Sequence, residues 1–139
     1  MSEVARIKGP RHEIAMDNPL YPKAYLRLKR PPKKLYIQGN PEALEEGLAI
    51  VGARKATPYG INCAKRFGRI AAKQEIIIIS GGAIGCDSAA HNAALSEHIP
   101  TVVFLGGGAD YIYPARNAGL FQRIVDDGGA LVSEFEWNR

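Results

Sequence analysis

The sequence predicts an α/β domain of the Rossmann-like, doubly wound type, with a mostly parallel sheet and helices on both faces. Three observations carry that prediction. Short apolar runs recur at Leu48–Gly52 (LAIVG), Ile76–Ile79 (IIII) and Thr101–Leu105 (TVVFL), as expected of strands buried on both faces of a parallel sheet. Each run empties into a loop that contains glycine, and a stretch of helical periodicity follows. Strand and helix alternating through short connections imply right-handed crossovers, and so parallel strands.

In chain order, residues 1–19 show no convincing period. A short amphipathic piece between Tyr21 and Pro32 is stopped by Pro31-Pro32, which forbids helix continuation. Leu35-Tyr36-Ile37 reads as a strand closed by the turn signal Gly39-Asn40-Pro41. After the second apolar run, Thr57-Pro58 marks a helix start, with the hydroxyl as N-cap and proline at the first helical position. That helix is expected to reach Lys73, with Ile61, Ala64, Gly68 and Ala71 on one face and Lys65, Arg66, Arg69 and Lys73 over much of the other. The central stretch IIIISGGAIGCDSAAH, Ile76–His91, joins a buried strand to a glycine loop and a helix that Asp87 or Ser88 is placed to cap. His98-Ile99-Pro100 connects to the next strand, which opens into Gly106-Gly107-Gly108. A helix over Ala118–Asp127 and a last strand over Ala130–Phe135 complete the pattern.

A chain of 139 residues is one domain with room for a real core. Its +4 charge is uneven, because residues 1–34 hold nine Lys/Arg against three acids and the remainder is net acidic. The sequence therefore divides into a basic N-terminal arm, 1–34, and a Rossmann-like domain, 35–139. The arm interleaves Lys23, Arg27, Lys29, Arg30, Lys33 and Lys34 with Tyr21, Tyr25 and Tyr36, a pattern open to a nucleic-acid backbone or to solvent alone. No apolar run is long enough to cross a bilayer and the N-terminus does not read as a signal peptide, so a cytoplasmic location is expected. Cys63 and Cys86 lack metal-ligand spacing and are expected as free thiols, with no zinc and no cofactor.

The candidate site lies along the ends of the three apolar strands. Strand, glycine loop and helix N-terminus make an anion site, because glycines let backbone N–H groups approach a ligand and the helix dipole favours negative charge. Neither GxxxxGK[ST] nor a clean GxGxxG is present, which argues against ATP hydrolysis and dinucleotide redox chemistry. The candidates are Gly52, Arg54 and Lys55 after one strand, Ser80, Gly81, Gly82, Gly85 and Asp87 after the next, and Gly106, Gly107, Tyr113 and Asn117 after the third. Open α/β sheets bind ligands at that carboxyl edge. An arginine there can grip a phosphate with two prongs.

These segments, with PPKKLYIQGN upstream and GGALVSEF at the end, resemble the DNA-processing protein A family, also called Smf, over Tyr21–Phe135. The resemblance implies a protein that binds single-stranded DNA, protects it during natural transformation and helps load the RecA recombinase. It places the family's Gly-Ser-Arg turn on Gly52-Ala53-Arg54, with Arg54 as phosphate contact, and its Ser-Gly-x-Ala-Arg-Gly-x-Asp segment on Ser80–Asp87, with the following histidine at His91. Its Tyr-Pro-x-x-Asn element falls on Tyr113, Pro114 and Asn117.

Two positions depart from the family pattern, since Ala53 replaces the hydroxyl and Ile84 the arginine of the glycine loop. Family members continue past the equivalent of Arg139, so the chain reads as a short relative or a fragment. The expected role is a non-catalytic module for single-stranded DNA. The alternative is a Rossmann-like binder of a nucleotide or nucleotide derivative, related to phosphoribohydrolases but lacking their loop glutamate. With the chain ending near Phe135 and Trp137, the last strand is expected to offer an apolar sheet edge to a second copy, giving a homodimer.

Overall fold

The computed structural model describes residues 6–139, and the first five residues of the expected arm lie outside them. Six strands form one sheet: β1 (Arg11–Ala15), β2 (Lys34–Gly39), β3 (Leu48–Ala49), β4 (Ile78–Gly81), β5 (Thr101–Phe104) and β6 (Ala130–Ser133). Three helices separate the later strands: α1 (Pro58–Lys73), α2 (Cys86–Ser96) and α3 (Ala118–Asp126). The order across the sheet is β1-β2-β6-β5-β4-β3. The four strands β3 to β6 run parallel, and β2 and β1 continue antiparallel from β6.

The α/β, Rossmann-like class holds, with a difference in how the sheet is covered. From β3 to β6 every right-handed crossover steps the same way, which places the helices on one face. On that face Ile78 packs with Ala71 of α1 and with Ala90 and Ala94 of α2, while Val103 and Leu131 pack with Phe121 and Ile124 of α3. Among the described residues, the other face carries no α-helix. Leu35, Ile37, Val102, Ala130 and Val132 are covered there by Tyr21, Ala43 and neighbours from two short 3₁₀ turns, Lys23–Arg27 and Pro41–Ala43.

The N-terminal segment is therefore built into the domain. Residues 1–19, which show no period, contain β1, paired with β2 from Arg11↔Gln38 to Ala15↔Lys34. Only Ile14 of that strand is buried, so there was little alternation to read. The tyrosines expected beside the arm's cations are occupied by packing. Tyr21 is buried with its hydroxyl donating to the Pro32 carbonyl at 2.6 Å, and Tyr36 meets the Trp137 ring edge-on at 5.5 Å. Tyr25 leans on Phe104, and burial, with smaller contributions from Glu134 and Tyr21, pushes its phenol up to about 12.

Two strands differ from expectation in place. Leu48–Gly52 is not a buried strand but the sheet edge, reduced to the exposed pair Leu48-Ala49. The last strand, β6, sits between β2 and β5, so the edge it was expected to offer a second copy does not exist.

Local signals placed the first helix well. The Thr57 hydroxyl accepts from the Gly60 amide at 3.1 Å and Pro58 opens α1. Thr57→Ala is expected to lower the unfolding free energy by about 1 kcal/mol in urea titration, the usual loss for an N-cap.

Candidate nucleic-acid interface

Parallel pairing puts the carboxyl ends of β3, β4 and β5 on one side of the sheet, and the loops 50–57, 82–85 and 105–117 meet there. Specific hydrogen bonds tie them together. Asp87, 5% exposed, accepts from the Gly52 amide at 3.1 Å, joining the second loop to the first. Asn117 donates to the Gly82 carbonyl at 2.7 Å and to the Ser88 hydroxyl at 3.0 Å, joining the third to the second. Ser88 in turn donates to the Ala83 carbonyl at 2.8 Å. The expectation that Asp87 or Ser88 caps α2 is corrected by these bonds: Gly85 is the N-cap and no side chain caps the helix. The first-turn amides of α2 lack a side-chain acceptor as a result, and they sit beside the open edge.

Gly85 is glycine for two reasons. Its φ is +98°, and a Cβ there would meet the carbonyl oxygens of Ala53 and Arg54 at 2.7 and 2.9 Å. The Arg54 loop thus lies directly against the start of α2. Above it, Arg54 donates to the Tyr113 hydroxyl at 2.5 Å and lies 5.5 Å from the centre of that ring. Tyr113 is 70% exposed, so the guanidinium is steered at the surface while its remaining donors face outward. Lys55 and Arg116 are exposed on the same edge, and Gly106 has open space where a side chain would be.

The expected site residues separate into two sets. Arg54, Lys55, Gly106, Gly107 and Tyr113 are placed at the accessible edge, with Gly52 and Gly85 shaping the loop beneath them. Ser80, Gly82, Asp87 and Asn117 face inward. Ser80 is 3% exposed and its hydroxyl donates to the Ile50 carbonyl, holding the edge strand to its neighbour. Gly82 leaves room for the Phe121 ring, and Gly81 lies against Asp87. Sequence reading named Ser88 only as a cap and Gly108 only within a glycine run; it missed that Ser88 relays Asn117 to the glycine loop and that the missing Cβ of Gly108 admits the backbone of Glu136 and Trp137. The run of three glycines was the available signal for the latter.

His91 is fully buried on α2, its Nε2 3.0 Å from the Gly81 carbonyl and its Nδ1 2.9 Å from the Thr101 hydroxyl. Burial pulls its pKa down from 6.5 to about 4, against the opposing pull of the Gly81 carbonyl and Asp87. It is a neutral structural histidine. Among the described residues no group of three His, Cys, Asp or Glu could hold a metal ion, and Cys63 and Cys86 are free. No helix among them is long and apolar enough to cross a membrane.

The parallel strands β3 to β6 and their three interlinked strand-end loops define a Rossmann-like domain with an open, cation-bearing edge. The chain belongs to the DNA recombination-mediator protein A family, whose model matches residues 12–139. It is 36% identical over 136 residues to Protein Smf of Escherichia coli, covering 96% of this chain and 36% of that protein. It is 41% identical over 94 residues to a putative DNA processing protein DprA of Mycobacterium tuberculosis, covering 68% of this chain and 24% of that one. Among solved structures, DNA processing protein A from Helicobacter pylori, described for its single-stranded DNA binding mode, superposes with a TM-score of 0.77 at 33% identity, over 96% of this chain and 59% of that one. DprA from Streptococcus pneumoniae gives 0.77 at 28% identity, over 88% and 43%. The chain spans about a third of the length of the curated relatives it matches.

Proposed function

We propose that this chain is a single-stranded DNA-binding module of the DNA-processing type, acting in the cytoplasm in DNA uptake during natural transformation and in recombination, where it presents the strand to RecA. The observation that carries this reading is the convergence of three strand-end loops on an open edge where Arg54, held by Tyr113, stands over the uncapped start of α2. The guanidinium and the backbone amides at the positive end of the α2 dipole are both donors of the kind a phosphate accepts from. The likeness to the Helicobacter pylori protein, which binds single-stranded DNA, supports the same ligand. The module acts by binding alone, without a catalytic group or a cofactor. Homodimerisation, if it accompanies DNA binding, must use a surface other than β6.

A mononucleotide pocket is the less favoured reading, because the edge is open. One cleft, of about 790 Å³, lies on the helix-free face between Tyr25, Leu44 and Phe104, and another lies near Gly39 and Val125. Neither is lined by the site loops.

Fluorescence anisotropy with a labelled thymine oligonucleotide tests the proposal. Arg54→Ala is expected to weaken binding about tenfold at low salt, on any base sequence, and to reduce the salt slope by about 0.7, the value for one phosphate contact on a single strand. Binding that is insensitive to both salt and Arg54 would exclude this site, and displacement by AMP in place of DNA binding would favour the pocket.

A further inference from the structure

Helix α1 carries a surface that the strand-end loops leave unused. Its residues Pro58–Lys73 include four cations and no acid. At about 100° of turn per residue the helix divides into three sectors. Ala64, Gly68, Ala71 and Ala72 are buried, with Gly68 against Ala90 and Ala93 of α2 and Ala71 in the core below. Lys65, Arg69 and Lys73 recur at i, i+4 and i+8 with Arg66 beside them, all exposed, and among the described residues none is ion-paired. Between the cationic and buried sectors lie Tyr59, Phe67 and Ile70, which are 78%, 58% and 51% exposed.

Each feature is unfavourable in an isolated domain. Like charges at i, i+4 destabilise a helix, and three large apolar side chains face water beside them. A polyanion with flat apolar faces removes both costs. The row runs on from the candidate site, since Pro58 follows the Arg54–Thr57 loop directly and Lys65 lies about two helical turns further on.

We propose that this face of α1 is a second stretch of the single-strand track, with Lys65, Arg69 and Lys73 on successive phosphates and with Tyr59 stacked on a base. The cations repeat every 6 Å or so along the helix, a spacing suited to the phosphates of an extended strand. Stacking on an aromatic side chain tolerates any base, as a track without sequence preference requires. The proposal rests on the nucleic-acid reading of the strand-end site and extends it by about one helix length.

Oligonucleotide length separates the two. Thymine oligonucleotides of about six and about 25 residues would be titrated in a salt series against the wild type, the Lys65→Gln/Arg69→Gln/Lys73→Gln triple variant, and Tyr59→Ala. Glutamine keeps the helix propensity while removing charge. For the longer strand, the triple variant is expected to lower the salt slope by about 2, and Tyr59→Ala to weaken binding about tenfold, with the short strand unaffected by either. Thermal melts of the triple variant at or above the wild-type midpoint would show that the fold is intact, consistent with relief of repulsion. Equal losses on both lengths, or no loss on the longer one, would overturn the α1 track and leave the strand-end site standing. Wild type that binds neither length would overturn both. An acidic peptide bound through Lys65, Arg69 and Lys73 while the longer strand is indifferent to them would assign the face to a protein partner instead.

Discussion

Lowering the pH from 7 to 5 is expected to reduce the unfolding free energy by about 2 kcal/mol through His91 alone, with the loss reaching about 3 kcal/mol near pH 4. The histidine is fully buried, and its pKa falls from 6.5 to about 4 on folding. The unfolded chain therefore takes up a proton as the pH passes below 6.5, while the folded chain does not until about 4. Stability is fully present above the upper value and is lost across the interval between them. Burial accounts for the neutral form, outweighing the Gly81 carbonyl and Asp87, which favour the charged one. The Gly81 carbonyl only accepts, so Nε2 carries the proton, and the Thr101 hydroxyl shares its single hydrogen between Nδ1 at 2.9 Å and the Ile78 carbonyl at 2.6 Å. Charge on the ring would have to be stabilised in a space with Asp87 as its nearby acid and water excluded. Urea titrations at pH 5, 6 and 7 should show the slope in the wild type and its near absence in His91→Gln, whose amide can still donate to Gly81. Equal slopes in both proteins would assign the acid sensitivity elsewhere.

That histidine also shows where sequence reading succeeds and where it stops. The i, i+4 spacing of Asp87 and His91 puts both on one side of α2, where both are buried. The partner of Asp87, however, is the Gly52 amide, 35 positions away, and no local pattern encodes a bond across three elements. The same limit explains β3. LAIVG is as apolar as TVVFL, but whether a strand is central or marginal depends on what pairs with it, and β3 has a neighbour on one side only. Strand β1 was illegible for the opposite reason. With one buried residue in RHEIA, it joins the sheet through backbone pairing to β2 and gives little hydrophobic signal. What was legible were the features with local chemistry: Thr57-Pro58 at the start of α1, the isoleucine run of β4, and the glycines that bring the loops to one edge.

The largest single loss of stability is expected from Phe121→Ala, about 3–5 kcal/mol, a sizeable share of the 5–15 kcal/mol that typically holds a domain folded. Phe121 is fully buried on α3, among Val103, Ile112, Ile124 and Leu131, and its ring also forms the floor of the glycine loop. The ring edge occupies the space that a Cβ on Gly82 would need, so this glycine serves packing while the Gly82 carbonyl is taken by Asn117. It follows that Gly82→Ala alone should destabilise by about 1–3 kcal/mol, as overpacking does, because the methyl group meets the ring. In the Phe121→Ala background the same methyl enters vacated space, and the double variant should be more stable than the sum of the two single changes predicts, by about 1 kcal/mol or more. Denaturant unfolding of the four proteins measures that coupling, and strict additivity would mean that the ring does not support the loop. If the coupling is found, the aromatic under Gly82 is what fixes the height of the Gly82–Gly85 turn. The turn sets the start of α2, and Gly85 seats the Arg54 loop against it. The core of α3 is thereby connected, through two glycines, to the position of the guanidinium at the open edge.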